Sequence, residues 1–248
     1  MAQRTVTSAA QFSHGDALNP ELRWHVLPDA DAVRDRALDW IRRSAAEAIA
    51  LRGAFHIVLA GGTTPRAVYQ SLRNEPQEWS KWHVWFGDER CLLADDTERN
   101  SRMAHAAWLD QVAIPVDQIH DMPGELGAEQ GALAYAEALK NIAEFDLVLL
   151  GLGEDGHTAS LFPGHQWGIE KDAPAVLAVH RAPKPPPERI SLSAWRLSGA
   201  RRVVFMVTGI GKREAVARWR AGEALPVTAI CPANGGELLV EEAVVQED

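Results

Sequence analysis

Cysteine is almost absent: two thiols, Cys91 and Cys231, in 248 residues. Two are too few for a disulfide framework, as expected of a chain kept in a reducing compartment. Long apolar runs are missing too. No window approaches the ~18 uninterrupted apolar residues that a membrane span needs, and the first twenty residues lack a signal-peptide pattern. The expected location is cytoplasmic, with no membrane partner. Positive charge is also scarce, with 25 Lys and Arg against 34 Asp and Glu and a formal net charge of −9. Nucleic-acid affinity is dominated by phosphate neutralisation, so an acidic chain without a basic run is expected to bind no nucleic acid. An anionic partner would require the few cations to be gathered in one place.

What is present is an ordinary globular composition, 46% hydrophobic with nine Trp and six Phe as bulky anchors, long enough to bury a sizeable core. Residues 1–20 are expected to form a flexible N-terminal tail and residues 21–248 a single domain, since neither a repeat nor a linker divides them. Residues 24–27 have a strand pattern. Asp29 suits the N-cap of a helix whose apolar positions Val33, Ala37, Trp40, Ile41, Ala48 and Ile49 follow a 3.6 period. Apolar runs at 55–60, 83–86, 146–150 and 203–208 predict buried strands, with shorter ones at 175–179 and 190–192. Helical patterns cover 67–72, 103–109, 212–219 and 128–144, the last with Leu133, Ala136, Leu139 and Ile142 inward. Residues 87–97 are expected as a polar loop, and 238–245 as a strand or an edge helix. Strands alternating with helices predict an α/β fold: a mostly parallel, doubly wound sheet with helices on both faces, Rossmann-like. In such sheets, ligands bind at the loops after the carboxyl ends of the strands.

Four of those loops carry candidate chemistry. The first is AGGTTP (60–65). With Thr64 as cap and Pro65 in the first helical position, Gly61, Gly62, Thr63 and Thr64 would aim free N–H groups and a helix dipole at one point, forming a phosphate nest. A plain threonine-capped turn has the same string, and the lysine of a Walker loop is missing. In FGDER (86–90), Asp88 and Arg90 set a carboxylate beside a guanidinium, able to hold sugar hydroxyls and an anionic oxygen together, or simply to anchor the loop.

The third loop is LGLGEDGHT (150–158), whose Gly151, Gly153 and Gly156 satisfy the dinucleotide fingerprint. Glu154 and Asp155 occupy the turn where a pyrophosphate would lie, and Pro163 stops any helix early, so no nucleotide is expected. The glycines instead present Asp155 and His157 side by side. Histidine suits proton transfer near neutral pH, and a carboxylate can fix its tautomer; a loop histidine bonded to backbone is the alternative. A metal site from Asp155, His157 and His165 lacks paired His or Cys spacing, so no metal is expected. Basic residues gather on the later loops, with Lys184 and Arg189 around the proline-rich stretch 183–187 and Lys212 at a helix start. A lysine there opposes the helix dipole and suggests an anionic ligand, unless it is merely solvated.

Taken together, these strings resemble the 6-phosphogluconolactonase family. The matching pieces are LAGGTTPRAVYQSL (59–72), WFGDERCLLADDTERNSRMA (85–104), LVLLGLGEDGHTASLFPG (147–164), PKPPPERIS (183–191) and VTGIGKREAV (207–216). The resemblance implies cofactor-free hydrolysis of 6-phospho-D-glucono-1,5-lactone to 6-phospho-D-gluconate in the oxidative pentose phosphate pathway. It implies His157 as the catalytic histidine with Asp155 as its acid, a phosphate loop at Gly61 to Thr64, and Arg90, Arg189 and Lys212 as further substrate-binding positions. The implied partner is a small phosphorylated sugar lactone, and the expected assembly a monomer or small homo-oligomer. The family usually shows Ser-Asn where this chain has Arg99-Asn100. The related glucosamine-6-phosphate deaminases carry an acid in an Asn-Glu-Pro stretch after the histidine loop, whereas here Ser160, Leu161, Phe162 and Pro163 supply none. A non-catalytic sugar-phosphate sensor is a third possibility, although no helix-turn-helix precedes Trp24.

Overall fold

The computed structural model describes residues 22–246; the expected tail over residues 1–20 lies outside them. After β1 (Arg23–Leu27), Asp29 accepts the Ala32 N–H at 2.8 Å and starts α1 (Ala30–Arg52). That helix ends where Gly53 turns left-handed and returns its N–H to the Ile49 carbonyl. There follow β2 (Phe55–Leu59), α2 (Thr63–Leu72), β3 (Trp82–Phe86), β4 (Asp88–Arg90), α3 (Asn100–Ala107), β5 (Ile119–His120), α4 (Ala128–Leu139) and β6 (Leu147–Leu150). The chain continues through β7 (Val176–Val179), β8 (Arg189–Leu192), α5 (Ala194–Ser198), β9 (Val203–Val207), α6 (Arg213–Arg220), β10 (Gly236–Glu241) and α7 (Glu242–Val245).

Seven strands, in the order β1-β10-β9-β6-β2-β3-β5, form one sheet with every pair parallel. Successive strand residues point to opposite faces, and aromatic neighbours show what covers each. In β1, Trp24 meets Trp219 of α6 while His25 meets Trp40 of α1. In β3, Trp82 packs on Trp108 at the end of α3, while Trp85 packs on Tyr135 of α4. Helices therefore lie on both faces, as the doubly wound pattern requires.

A second sheet, β4-β8-β7, is antiparallel. It places a strand inside the stretch expected as a polar loop, with Asp88 opposite Ser191 and Arg90 opposite Arg189. Its Val176 and Ile190 share the principal core with Val84 and Phe205 of the large sheet. The small sheet also corrects α4, which ends at Leu139 rather than near residue 144 and turns Leu133 outward, 72% exposed. The helix packs on β7 and β8, so its buried stripe is Ala128, Gly131, Ala132, Tyr135 and Leu139. The C-terminal segment resolves into both alternatives: β10 is inserted between β1 and β9, and α7 follows it.

Candidate active site

From β2 the chain builds outward to β3 and β5; from β6 it builds the other way, to β9 and β10. The carboxyl ends of β2 and β6 thus flank the point where strand order reverses, which is where open α/β sheets leave a crevice. The loops meeting there follow β2, β3, β6 and β9. Thr64 and Thr208 share a hydroxyl hydrogen bond of 2.6 Å, joining the first to the last. Thr64 is therefore not the cap of α2: that helix starts at Thr63 behind Gly62, without a side-chain cap, and Pro65 is its third residue.

On the β6 loop, His157 Nδ1 donates to Asp155 Oδ1 at 2.5 Å, because an ionised carboxylate only accepts. That bond leaves Nε2 with its lone pair. Gly153 makes room for the pair, since a Cβ there would lie 1.9 Å from His157 Nδ1 and 2.7 Å from Asp155 Oδ1. Burial lowers the His157 pKa from its ordinary value despite the opposing pull of Asp155, and Lys184 lowers it further. Burial pushes the Asp155 carboxyl up, but the hydrogen bond and charge of His157, with Lys184, bring it below its usual value. The Phe162 ring stands 4.8 Å from that of His157.

The FGDER segment is held by buried polar contacts. Glu89 is fully buried, and its carboxylate accepts the N–H groups of Arg90, Asn100 and Ser101 and the Nε–H of buried Arg99. Glu89 thus staples β4 to the start of α3. Arg99 also donates to the Met122 carbonyl and Glu125. Asn100, the position beside the departure from the family string, donates to Asp88 and lies against Gly61, where a Cβ would come 2.0 Å from its Oδ1. Asp88 receives the Ser160 hydroxyl at 2.6 Å, tying β4 to the histidine loop.

Arg90 donates to the Glu98 carbonyl. Arg189 is buried, donates to the carbonyls of Lys184, Pro185 and Pro186, and lies over Phe162. Lys212 precedes α6 in a short 3-10 turn, its pKa lowered by burial and raised in part by Glu154. Lys184 brings Nζ within 4.0 Å of Asp155 Oδ1. Sequence reasoning placed Lys184 in the basic group but did not select it. It left the role of Asn100 open and did not select Glu89, held across one loop by residues 99–101, or Ser160, whose partner Asp88 is 72 positions away. Among the described residues, no cluster of three or more His, Cys, Asp or Glu could hold a metal ion.

A family model described as glucosamine-6-phosphate isomerases/6-phosphogluconolactonase matches residues 28–240. The chain belongs to this family. Within it, the 6-phosphogluconolactonase of Synechocystis sp. is 39% identical over 210 residues, 81% of this chain and 86% of that one. The 6-phosphogluconolactonase of Mycobacterium tuberculosis is 39% identical over 224 residues, 85% of this chain and 89% of its own length. The crystal structure of 6-phosphogluconolactonase from Thermotoga maritima matches with a TM-score of 0.82 at 25% identity, covering 89% of this chain and 100% of that one. A monomeric glucosamine-6-phosphate deaminase, 16% identical with a TM-score of 0.78, shares the fold of the family.

Proposed function

We infer that the chain hydrolyses 6-phospho-D-glucono-1,5-lactone to 6-phospho-D-gluconate, the lactone step of the oxidative pentose phosphate pathway. The observation that carries this reading, within a family of two activities, is the Asp155–His157 pair with Phe162 packed against it. Deaminases of this family place an acid in that stretch to assist ring opening; an apolar ring there leaves one proton-transfer centre, which ester hydrolysis needs. Relatives named as 6-phosphogluconolactonases at 39% identity support the same choice.

In this reading His157 Nε2 takes a proton from water as its oxygen attacks the lactone carbonyl carbon. The tetrahedral oxyanion then collapses with cleavage of the bond to the ring oxygen. The imidazolium returns its proton to that oxygen, and the new acid ionises to solvent. Asp155 holds the tautomer and balances the imidazolium charge. The phosphate, remote from the reacting carbon, positions the carbonyl. It is assigned to Gly61, Gly62, Thr63 and Thr64 with Lys212, because the bond between Thr64 and Thr208 brings the two loops together. Asp88 and Arg90 are assigned to sugar hydroxyls, and Arg189 to shaping the wall, because its Nε and Nη2 are engaged by residues 184–186 while Nη1 faces the Ser160 hydroxyl. The ligand is a small phosphorylated sugar lactone, not a nucleic acid or a membrane.

Fresh lactone and glucosamine 6-phosphate, offered separately, test the reading. Acid release from the lactone well above the spontaneous rate, without ammonia from the amino sugar, is expected. Ammonia release, or lactone decay at the spontaneous rate, overturns it.

A further inference from the structure

The reaction develops a negative charge on the carbonyl oxygen, and a donor must meet it. Four cations approach the site, and the structure distinguishes them by what already engages them. Arg189 gives Nε and Nη2 to three main-chain carbonyls, and its Nη1 lies 3.5 Å from the Ser160 hydroxyl. Arg90 gives Nη1 to the Glu98 carbonyl and keeps its Nε buried without a partner among the described residues, so both guanidinium groups are held in place by the surrounding chain. Lys212 follows β9, beside the threonine pair that joins its loop to the glycine loop, and the carboxylate that acts on it most is Glu154. Lys184 is different. Its ammonium makes no hydrogen bond among the described residues, and its one close charged neighbour is Asp155 Oδ1, the oxygen that holds His157.

We propose that Lys184 is a catalytic residue, its ammonium stabilising the oxyanion formed at the lactone carbonyl while Lys212 serves the phosphate. The inference rests on the lactonase reading above. Two features suit Lys184 to the task. Its main chain is fixed, because Arg189 clamps the carbonyls of residues 184, 185 and 186, so the flexible stem starts from a set point beside the catalytic pair. Its head is 4.0 Å from Asp155, beyond hydrogen-bonding distance and half exposed, so it can turn to a new anion without breaking a bond. The charged groups that act on His157 are Asp155, Lys184 and Asp88; Arg90 and Arg189 are not among them. The Lys184 charge therefore reaches the Asp155–His157 pair and disfavours protonation of His157.

The test compares wild type, Lys184→Met, Lys184→Arg and Lys212→Met on fresh lactone, corrected for spontaneous hydrolysis, with the His157 ring titrated by NMR in the unliganded proteins. Lys184→Met is expected to lose about 10²-fold in kcat with KM within about twofold. Lys184→Arg should recover part of that loss. The His157 titration should move to higher pH in Lys184→Met and stay near the wild-type position in Lys184→Arg, which keeps the charge. Lys212→Met should act mainly on KM. Wild-type kcat in Lys184→Met, a loss confined to KM, or an unmoved His157 titration overturns the assignment while leaving the lactonase reading intact. A wild-type enzyme inactive on lactone removes both.

Discussion

Gly153 lacks a side chain because the His157 ring occupies the space where one would stand. The glycines at 151, 153 and 156 match a dinucleotide fingerprint letter for letter, yet at 153 the physical cause is a close approach to an imidazole. Gly153 is not among the glycines with positive φ, so alanine fits its backbone, and the nearest atoms its Cβ would meet belong to His157 and Asp155. Gly153→Ala is expected to keep the fold but lower kcat by about 10²-fold through displacement of the base, a size typical of a misplacement near 1 Å; melting and turnover measured together check this. His157→Ala should lower kcat by roughly 10²–10⁴-fold with KM little changed. Because the His157 pKa is lowered in the fold, the imidazole proposed as the base stays neutral to lower pH than a free histidine. The acid limb of kcat/KM is therefore expected below pH 6.5. That Asp155 and His157 face each other was legible in the sequence, because two residues of one short loop must be neighbours.

At the scale of elements, Glu89 decides whether β4 and α3 stay in register. A fully buried carboxylate accepts three main-chain N–H groups and the Arg99 Nε–H, so losing it leaves those donors unsatisfied while Arg99 keeps Glu125 and the Met122 carbonyl. Glu89→Gln should cost about 1.5–3 kcal/mol, the range for hydrogen bonds to a charged group, read as a shift in the urea midpoint. The start of α1 was readable at Asp29 because a cap bonds three residues onward. Two strands of the small sheet, β7 and β8, were readable as the apolar runs 175–179 and 190–192, but β4 and the pairing were not: β4 is three residues long and sets Asp88 opposite Ser191, about a hundred positions away, so no local period marks it. That sheet is also why Leu133 faces outward: the buried stripe of α4 answers to a surface that its own periodicity cannot specify.

For the whole molecule, acid stability is set by a stack across three strands of the large sheet. His56 lies on His83 with ring centroids 4.5 Å apart, His83 faces His120 at 5.9 Å, and His120 lies on Trp85 at 3.7 Å. Burial first, then the charge of His83, pushes His56 and His120 down to about 4. Asp146 opposes this at His56, and Asp117 and Asp121 at His120. The Trp85 indole donates to His56 Nδ1, a bond that protonation of that nitrogen would break. Unfolded, these histidines take protons near pH 6.5. Their contribution is therefore full above that value and declines as pH falls from 6.5 towards 4. Discounted for partial exposure, each is worth on the order of 1 kcal/mol. The urea midpoint should fall between pH 7 and pH 5, and fall less in His56→Gln; an equal drop in both proteins would contradict this origin.

The sequence by itself determined the alternation of strands and helices, the Asp29 cap and the −9 charge, because each depends on neighbours a few residues away or on composition. Only the tertiary structure decided which cations stand where. An acidic chain handles a small anion through a few local charges, and their positions follow from long-range contacts. The Arg189 clamp on residues 184–186 brings Lys184 to Asp155, and the hydrogen bond between Thr64 and Thr208 joins the Lys212 loop to the glycine loop.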